Sequence, residues 1–191
     1  ATPLTLGAIC GVFCERSGII NIAIEGMMLA GAFAAVGFAS IFDNLWMGLL
    51  AASLVGGVMA ALHAVLSIKY KVDQIISGTV INILAAGGTR FLNLRLLEPA
   101  GLSTPGSFGN ISIPVLADIP IVGPILFQNQ PTVYIMLILL VVVNYVIFFT
   151  PWGLRMRACG EHPRAADTVG VNVNRMRYTS VIVGGLVAGI G

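Results

Sequence analysis

The sequence predicts an all-α fold, a polytopic transmembrane helical bundle with a broken or re-entrant segment and a short cytoplasmic helix. Three observations carry this. Of 191 residues, 57% are hydrophobic and only 9% charged, whereas an average soluble domain is about a quarter charged. Ten basic and eight acidic side chains are too few to clothe a water-exposed surface, so the bilayer must be the solvent. Apolar runs of spanning length recur along the chain, and polar residues gather in two stretches, Glu15 to Glu25 and Arg155 to Arg177.

A spanning helix needs about 20 apolar residues. On that measure spans fall at about 3–14 (partial), 26–42, 47–68, 75–92, 132–150 and 178–191 (cut short). The fifth, "TVYIMLILLVVVNYVIFFT", is the plainest. The fourth is interrupted by Gly78, Asn82, Gly87 and Gly88, which predicts a helix buried among others rather than facing lipid. Glycine and alanine recur in "GAFAAVGFAS" and "AASLVGGVMAA". Small residues let helix backbones approach closely, so a general small-residue interface is expected.

Between the first two spans Glu25 sits amid apolar runs, with Arg16 as a possible partner. A charge within hydrocarbon costs a few kcal/mol and marks a pathway or a pair. With Ser17, Gly18 and Asn21 this stretch reads as a re-entrant break that presents backbone groups to a ligand. The other reading is a cytoplasmic hairpin, since non-helical backbone at depth is tolerated only beside a cavity.

Orientation follows from the basic residues, which short cytoplasmic loops retain. If the spans alternate, Arg16, Lys69, Lys71, Arg155, Arg157, Arg164, Arg175 and Arg177 share one side, and Arg90 and Arg95 the other. Residues 151–177 are then cytoplasmic. The stretch of about 98–131, holding six of the nine prolines, is external.

Within the cytoplasmic stretch Pro163 suits the first position of a helix and Gly170 the position just past its end. A two-turn helix is expected, with Glu161 and Asp167 offsetting backbone partial charges near its first turn. It is too short to stand alone in water, so something must hold it; an ordinary capped loop is the plainer reading.

Several classes are disfavoured. A net charge of +2 without a basic run interleaved with aromatics gives no case for nucleic acid. Cys10, Cys14 and Cys159 make an odd count, so no disulfide framework is expected. Cys10 and Cys14 lie at i and i+4, but no His or carboxylate completes a metal ligand set, and they read as packing residues. No G-x-x-x-x-G-K-[ST] loop and no nucleophile, base and orienter constellation occurs. His63, Met27, Met28 and Phe33 read as packing residues, and Asn144 as a bond between helices. The chain begins without methionine, shows no signal peptide and stops within an apolar run; it is read as one membrane domain, 1–191, of a longer protein.

Three stretches resemble a family. "GEHPRAADTVGVNV" is similar to the coupling segment of ABC-importer permeases of the branched-chain amino acid, ribose and nucleoside group, in which Gly160, Pro163, Ala165, Ala166 and Gly170 fill a Gly-x-x-Pro-x-Ala-Ala-x-x-x-Gly pattern. "ERSGIINIAIEGMMLAGAF" is similar to a signature of the nucleoside and simple-sugar branch through Glu15, Ser17, Gly18, Asn21, Glu25 and Gly26. "VDQIISGTVINILAAGGT" resembles the segment that follows in the same branch.

The resemblance implies a non-enzymatic permease subunit of an ATP-driven importer for nucleosides or related sugars. Branched-chain amino acid import is the near alternative and a passive channel a more distant one. It implies a cytoplasmic coupling helix, in which Gly160, Glu161, His162, Pro163, Arg164, Ala165, Ala166, Asp167 and Gly170 dock a cytoplasmic ATPase subunit, with Ala165 and Ala166 permitting close approach. No cofactor is expected on this chain, ATP being held by the partner. A second permease subunit, an extracellular substrate-binding protein and the lipid bilayer complete the expected partners, in a bacterial cytoplasmic membrane. Asn21, Glu25 and Asn82 are the candidate substrate-path residues, Asn82 because its amide in a polar, glycine-broken span suits a nucleobase or sugar edge.

Overall fold

A computed structural model describes residues 1–99, 106–112 and 128–191. Helix α1 (Thr2–Arg16) is followed by a non-helical segment, then α2 (Ile24–Phe42) and α3 (Leu45–Ala64), which continues as a π-helical turn, Val65–Lys69. Helix α4 (Gln74–Leu92) likewise continues through Asn93–Leu97. Beyond it lie a two-residue antiparallel ladder, β1 (Ile111–Ser112) with β2 (Gln128–Asn129), and then α5 (Pro131–Phe149), α6 (Pro151–Glu161), α7 (Pro163–Thr168) and α8 (Val173–Ile190). The expected external stretch lies largely outside the described residues.

Local chemistry sets the helix starts. The side chain of Asn44 accepts the Trp46 N–H at 2.9 Å, Asp73 accepts from Ile75 and Ile76 at 2.9 and 3.1 Å, and Asn172 accepts from Arg175 at 2.9 Å. Each thereby satisfies donors that the first turn leaves unpaired. Helix α6 had not been separated from its surroundings in the sequence, although Thr150 accepts the Gly153 N–H at 3.2 Å and Pro151 opens the first turn, a start signal that the basic composition masks.

Among the described residues four stretches are long and apolar enough to span a membrane: α2, α3 with its π turn, α4 with its π turn, and α5. The shorter α1 and the more polar α8 pack among them. Helix α8 is held by small residues: a methyl on Gly56 would lie 2.5 Å from the Gly185 carbonyl oxygen, and one on Gly31 would lie 2.7 Å from that of Gly189. The expected small-residue interface is therefore centred on α8, against α2 and α3. A second cluster joins α1, α5, α6 and α8 through Leu6, Phe13, Ile147, Met156 and Val187.

Neighbour pairs give the helix directions. Gly48 sits on Ala35 and Ala39, so α3 runs antiparallel to α2, whereas Gly26 meets Asn82 and Gly37 meets Leu97, so α4 runs parallel to α2. Gly184 meets Cys10 and Gly18 meets Arg177, making α8 antiparallel to α1. Arg16, Lys69 and Arg177 accordingly gather at one end of the bundle and Arg90 and Arg95 at the other, the distribution the basic residues predicted.

Helix α4 departs from expectation. Only Ser77, Gly78, Ile81 and Ala85 of it are buried, while Ile76, Val80, Ile83 and Phe91 are exposed and a methyl added at Gly87 or Gly88 would meet no atom of another element within 4 Å. Its polar residues turn to one side, toward the segment before α2. The remaining faces are apolar and need no protein cover in lipid.

Candidate functional site

The segment "SGIINIA", residues 17–23, cannot continue α1. Gly18 takes φ +82°, a left-handed value suited to glycine, and the Ser17 hydroxyl turns back to donate to the Cys14 carbonyl at 2.8 Å. Isoleucines at 19, 20 and 22 favour extended backbone. Burial then alternates: Ser17, Ile19, Asn21 and Ala23 are buried, whereas Ile20 and Ile22 are 54% and 42% exposed. The strand-like chain runs back alongside α1, so that Ile24, opening α2, packs beside Gly7 and Gly11. This is the re-entrant arrangement and not the surface hairpin.

Non-helical backbone at such depth must find protein partners for its polar groups. Side chains of three helices supply them. The Ile20 N–H donates to Gln74 Oε1 at 2.6 Å, and His63 Nε2 faces the Ile20 carbonyl at 3.2 Å. Asn82 Nδ2 donates to the Ile22 carbonyl at 3.0 Å, while its Oδ1 accepts the Gly26 N–H at 2.8 Å. Arg177 Nε donates to the Ser17 carbonyl at 3.2 Å. His63 is fully buried, with Nδ1 3.1 Å from the Ser77 hydroxyl; proton donation from Nε2 to the carbonyl leaves Nδ1 to accept from that hydroxyl.

The three candidate path residues have different surroundings. Asn21 is buried; its Oδ1 accepts the Ala23 N–H at 3.0 Å, and its amide nitrogen lies 3.3 Å from Cys14 Sγ and 3.7 Å from both Cys10 Sγ and Met27 Sδ. Asn82 has both ends of its amide spent on backbone, on Ile22 of the re-entrant segment and on Gly26 of α2, making it a clamp across their junction. Glu25 stands exposed in the first turn of α2, on the same face as Leu29, Ala32 and Val36. Among the described residues no ion pair joins it to Arg16. That face continues into a groove of about 370 Å³ between α2 and α4, lined by Leu29, Phe33, Val36, Thr89, Arg90 and Asn93. Glu25 lies one turn before Leu29 on that face, inward of the groove, and Arg90 lies within the groove's α4 wall.

The second polar stretch folds as expected around Pro163, the first residue of the six-residue α7, and Gly170, at φ +85°. Glu161 closes α6, and His162 links the two helices. Arg164, Ala165, Asp167 and Thr168 are exposed, but Ala166 is turned into its own chain, with 4% exposure. Of the two alanines expected to permit close approach of a partner, only Ala165 lies on the outward surface, and Ala166 is covered by its own chain. Gly160 faces the other way: a methyl there would overlap the Arg16 carbonyl oxygen and lie 3.2 Å from the Gly18 nitrogen. The adjacent Cys159 is fully buried; burial pushes its thiol pKa up, opposed by the charge of Arg177.

Sequence reasoning singled out neither His63, Gln74, Ser77 nor Arg177 as positioning groups. A signal existed on α4, where Gln74, Ser77 and Asn82 are polar residues on a helix otherwise suited to lipid. Their common target, a buried stretch of free backbone, is visible only in three dimensions. Among the described residues no cluster of three or more His, Cys, Asp or Glu side chains could hold a metal.

Comparison with known proteins agrees with this architecture. The chain is 43% identical to the guanosine ABC transporter permease protein NupQ of Bacillus subtilis, and 36% identical to the nucleoside ABC transporter permease protein NupC of Lactococcus lactis. Each alignment covers 100% of this chain and 62% of the relative, so the chain spans under two thirds of their length. A putative glucose ABC transporter permease protein of Haloferax volcanii is 35% identical over 99% of this chain and 57% of its own length. No solved structure matches. The spans and these relatives place the chain as a multi-pass protein of the cytoplasmic membrane. The model of the family described as branched-chain amino acid transport system / permease component matches residues 1–191, and the chain belongs to that family.

Proposed function

We propose that this chain is the membrane-spanning part of a permease subunit in an ATP-driven importer for nucleosides or related sugars, working with a separate ATPase. The observation that carries this reading is the backbone contact of Gly160 with Arg16 and Gly18. Through it the exposed coupling surface of α7 is only Glu161 and His162 away from a residue packed on the re-entrant segment. Movement of α7 by an ATPase passes through His162 and the last residues of α6 to residues 17–23, and from there through Asn82 to the start of α2 and to α4. The groove between α2 and α4, outward of Glu25, then opens or narrows along Thr89, Arg90 and Asn93.

ATP is held by the ATPase, since this chain carries no phosphate loop. A second permease subunit and an extracellular substrate-binding protein complete the transporter. The substrate class is supported by the guanosine and nucleoside permeases among the relatives and by the polar groups along the groove. The family description supports branched-chain amino acids as a second reading.

The test is uptake of labelled guanosine into vesicles carrying the reconstituted transporter, with unlabelled nucleosides, sugars and branched-chain amino acids as competitors. ATP-dependent uptake suppressed by nucleosides or sugars is expected. Suppression by leucine alone selects the second reading, and uptake that persists without the ATPase makes the chain a passive channel.

A further inference from the structure

A second cavity, of about 510 Å³, lies between α6, the 169–171 turn and the first two turns of α8. We propose that it binds the phosphate-bearing headgroup of an anionic phospholipid of the cytoplasmic leaflet. The inference is independent of the transported substrate.

Its walls include Trp152 and Arg155, one turn apart on α6, Asn172, which caps α8, and Arg175, Met176 and Thr179, which share one face of that helix. No carboxylate lines it. The Thr179 hydroxyl is spent on the Arg175 and Met176 carbonyls, at 3.0 and 2.9 Å, and Asn172 Oδ1 on the Arg175 N–H. Neither guanidinium, of Arg155 or of Arg175, has a hydrogen bond or ion pair among the described residues. Two unpaired guanidiniums on facing walls suit a phosphate, whose oxygens match the planar fork.

Depth identifies the phosphate as a lipid's. Helix α5, Pro131–Phe149, has 19 residues, about 28 Å at 1.5 Å per residue, close to the roughly 30 Å thickness of the hydrocarbon core. Its inner end is followed directly by α6, so Trp152 and Arg155 lie at headgroup level. Tryptophan and basic residues concentrate there. Trp152 is held edge-on against Phe13 at 6.0 Å, and Val169, Val171 and Met176 add apolar surface to the same cavity, suited to a glycerol backbone and the first acyl carbons. Basic pockets between helices on this side of a membrane take anionic headgroups. A headgroup here also braces the 169–171 turn that follows α7, making the coupling segment sensitive to lipid composition.

The test reconstitutes the full-length permease in nanodiscs of phosphatidylglycerol, phosphatidylcholine or a mixture, and measures retained lipid by native mass spectrometry after transfer to detergent. Wild type is expected to retain phosphatidylglycerol in preference to phosphatidylcholine. Arg155→Gln with Arg175→Gln should weaken retention roughly 25-fold, at about five-fold per charge, and either single variant about five-fold should the pair not fold. Arg95→Gln, at the other end of the bundle, should change nothing. Equal retention by wild type and the Gln variants overturns the proposal, as does equal retention of phosphatidylcholine. Displacement of the lipid by millimolar inorganic phosphate alone also overturns it, identifying a soluble-anion site.

Discussion

Asn82 and Gly26 are joined by a 2.8 Å hydrogen bond from the Gly26 N–H to Asn82 Oδ1, while the same side chain donates to Ile22 at 3.0 Å. One amide on α4 thus fixes both the end of the re-entrant segment and the start of α2. Asn82→Leu leaves a donor and an acceptor of the backbone unpaired, each costing about 1–3 kcal/mol where buried. A clear fall in thermal stability and a loss of uptake are expected, measured by unfolding in detergent and vesicle transport. Asn144→Leu, on an exposed face of α5, should do neither; equal effects of the two variants would remove the clamp.

Gly160 and Gly170 separate two kinds of glycine. Gly160→Ala drives a methyl into the Arg16 carbonyl, and backbone cannot step aside as a flexible side chain can. A methyl added at Gly170 would meet nothing within 4 Å, and the cost is confined to φ +85°, of order 1–3 kcal/mol. Gly160→Ala should therefore lower uptake at least tenfold while ATP hydrolysis by the partner continues. Gly170→Ala should keep the ratio of transport to hydrolysis. A wild-type ratio in Gly160→Ala would show that coupling does not run through this contact.

The two alanines of α7 should now behave differently. Ala165→Glu places a charge on the exposed surface, so the fold should persist while co-purification of the ATPase falls. Ala166→Glu buries an unpaired carboxylate against its own chain, and its first effect should be a lowered melting temperature. If Ala165→Glu retains full association and coupling, α7 is a capped loop and not a docking helix.

Glu25 lies on the same face of α2 as the groove residues Leu29 and Val36 and has no ion-pair partner among the described residues. Glu25→Gln preserves shape and removes charge, so uptake should fall while expression and assembly stay at wild-type levels. Wild-type uptake would leave Glu25 only as a favourable charge at a helix start.

Thiol labelling checks the packing of α6. Burial protects Cys159 and raises its pKa, and the thiolate is the nucleophile. At pH 8 maleimide should modify a cysteine placed at exposed Thr168 well before Cys159, which should react only on unfolding. Comparable rates at the two positions would contradict the docking of α6 on the bundle.

The sequence by itself determined the membrane class, the bounds of four of the six long apolar helices to within about two residues, the gathering of basic residues at opposite ends of the bundle, and α7. These follow from local quantities: apolar length, the sidedness of basic residues, and a proline and a glycine spaced for a short capped helix. It also exposed the tension at residues 15–25, where polarity and glycine interrupt apolar runs, without deciding between a hairpin and a re-entrant chain. Only the tertiary structure decided that, because the choice depends on whether distant side chains satisfy the buried backbone. His63, Gln74, Asn82 and Arg177 do so from 43, 54, 60 and 160 residues away. The same arrangement turned Asn82 from a candidate ligand group into a clamp, turned Ala166 inward, and left α4 exposed on the sides away from its polar residues. Periodicity shows that a residue has a face; what occupies that face is settled by the packing of the whole chain.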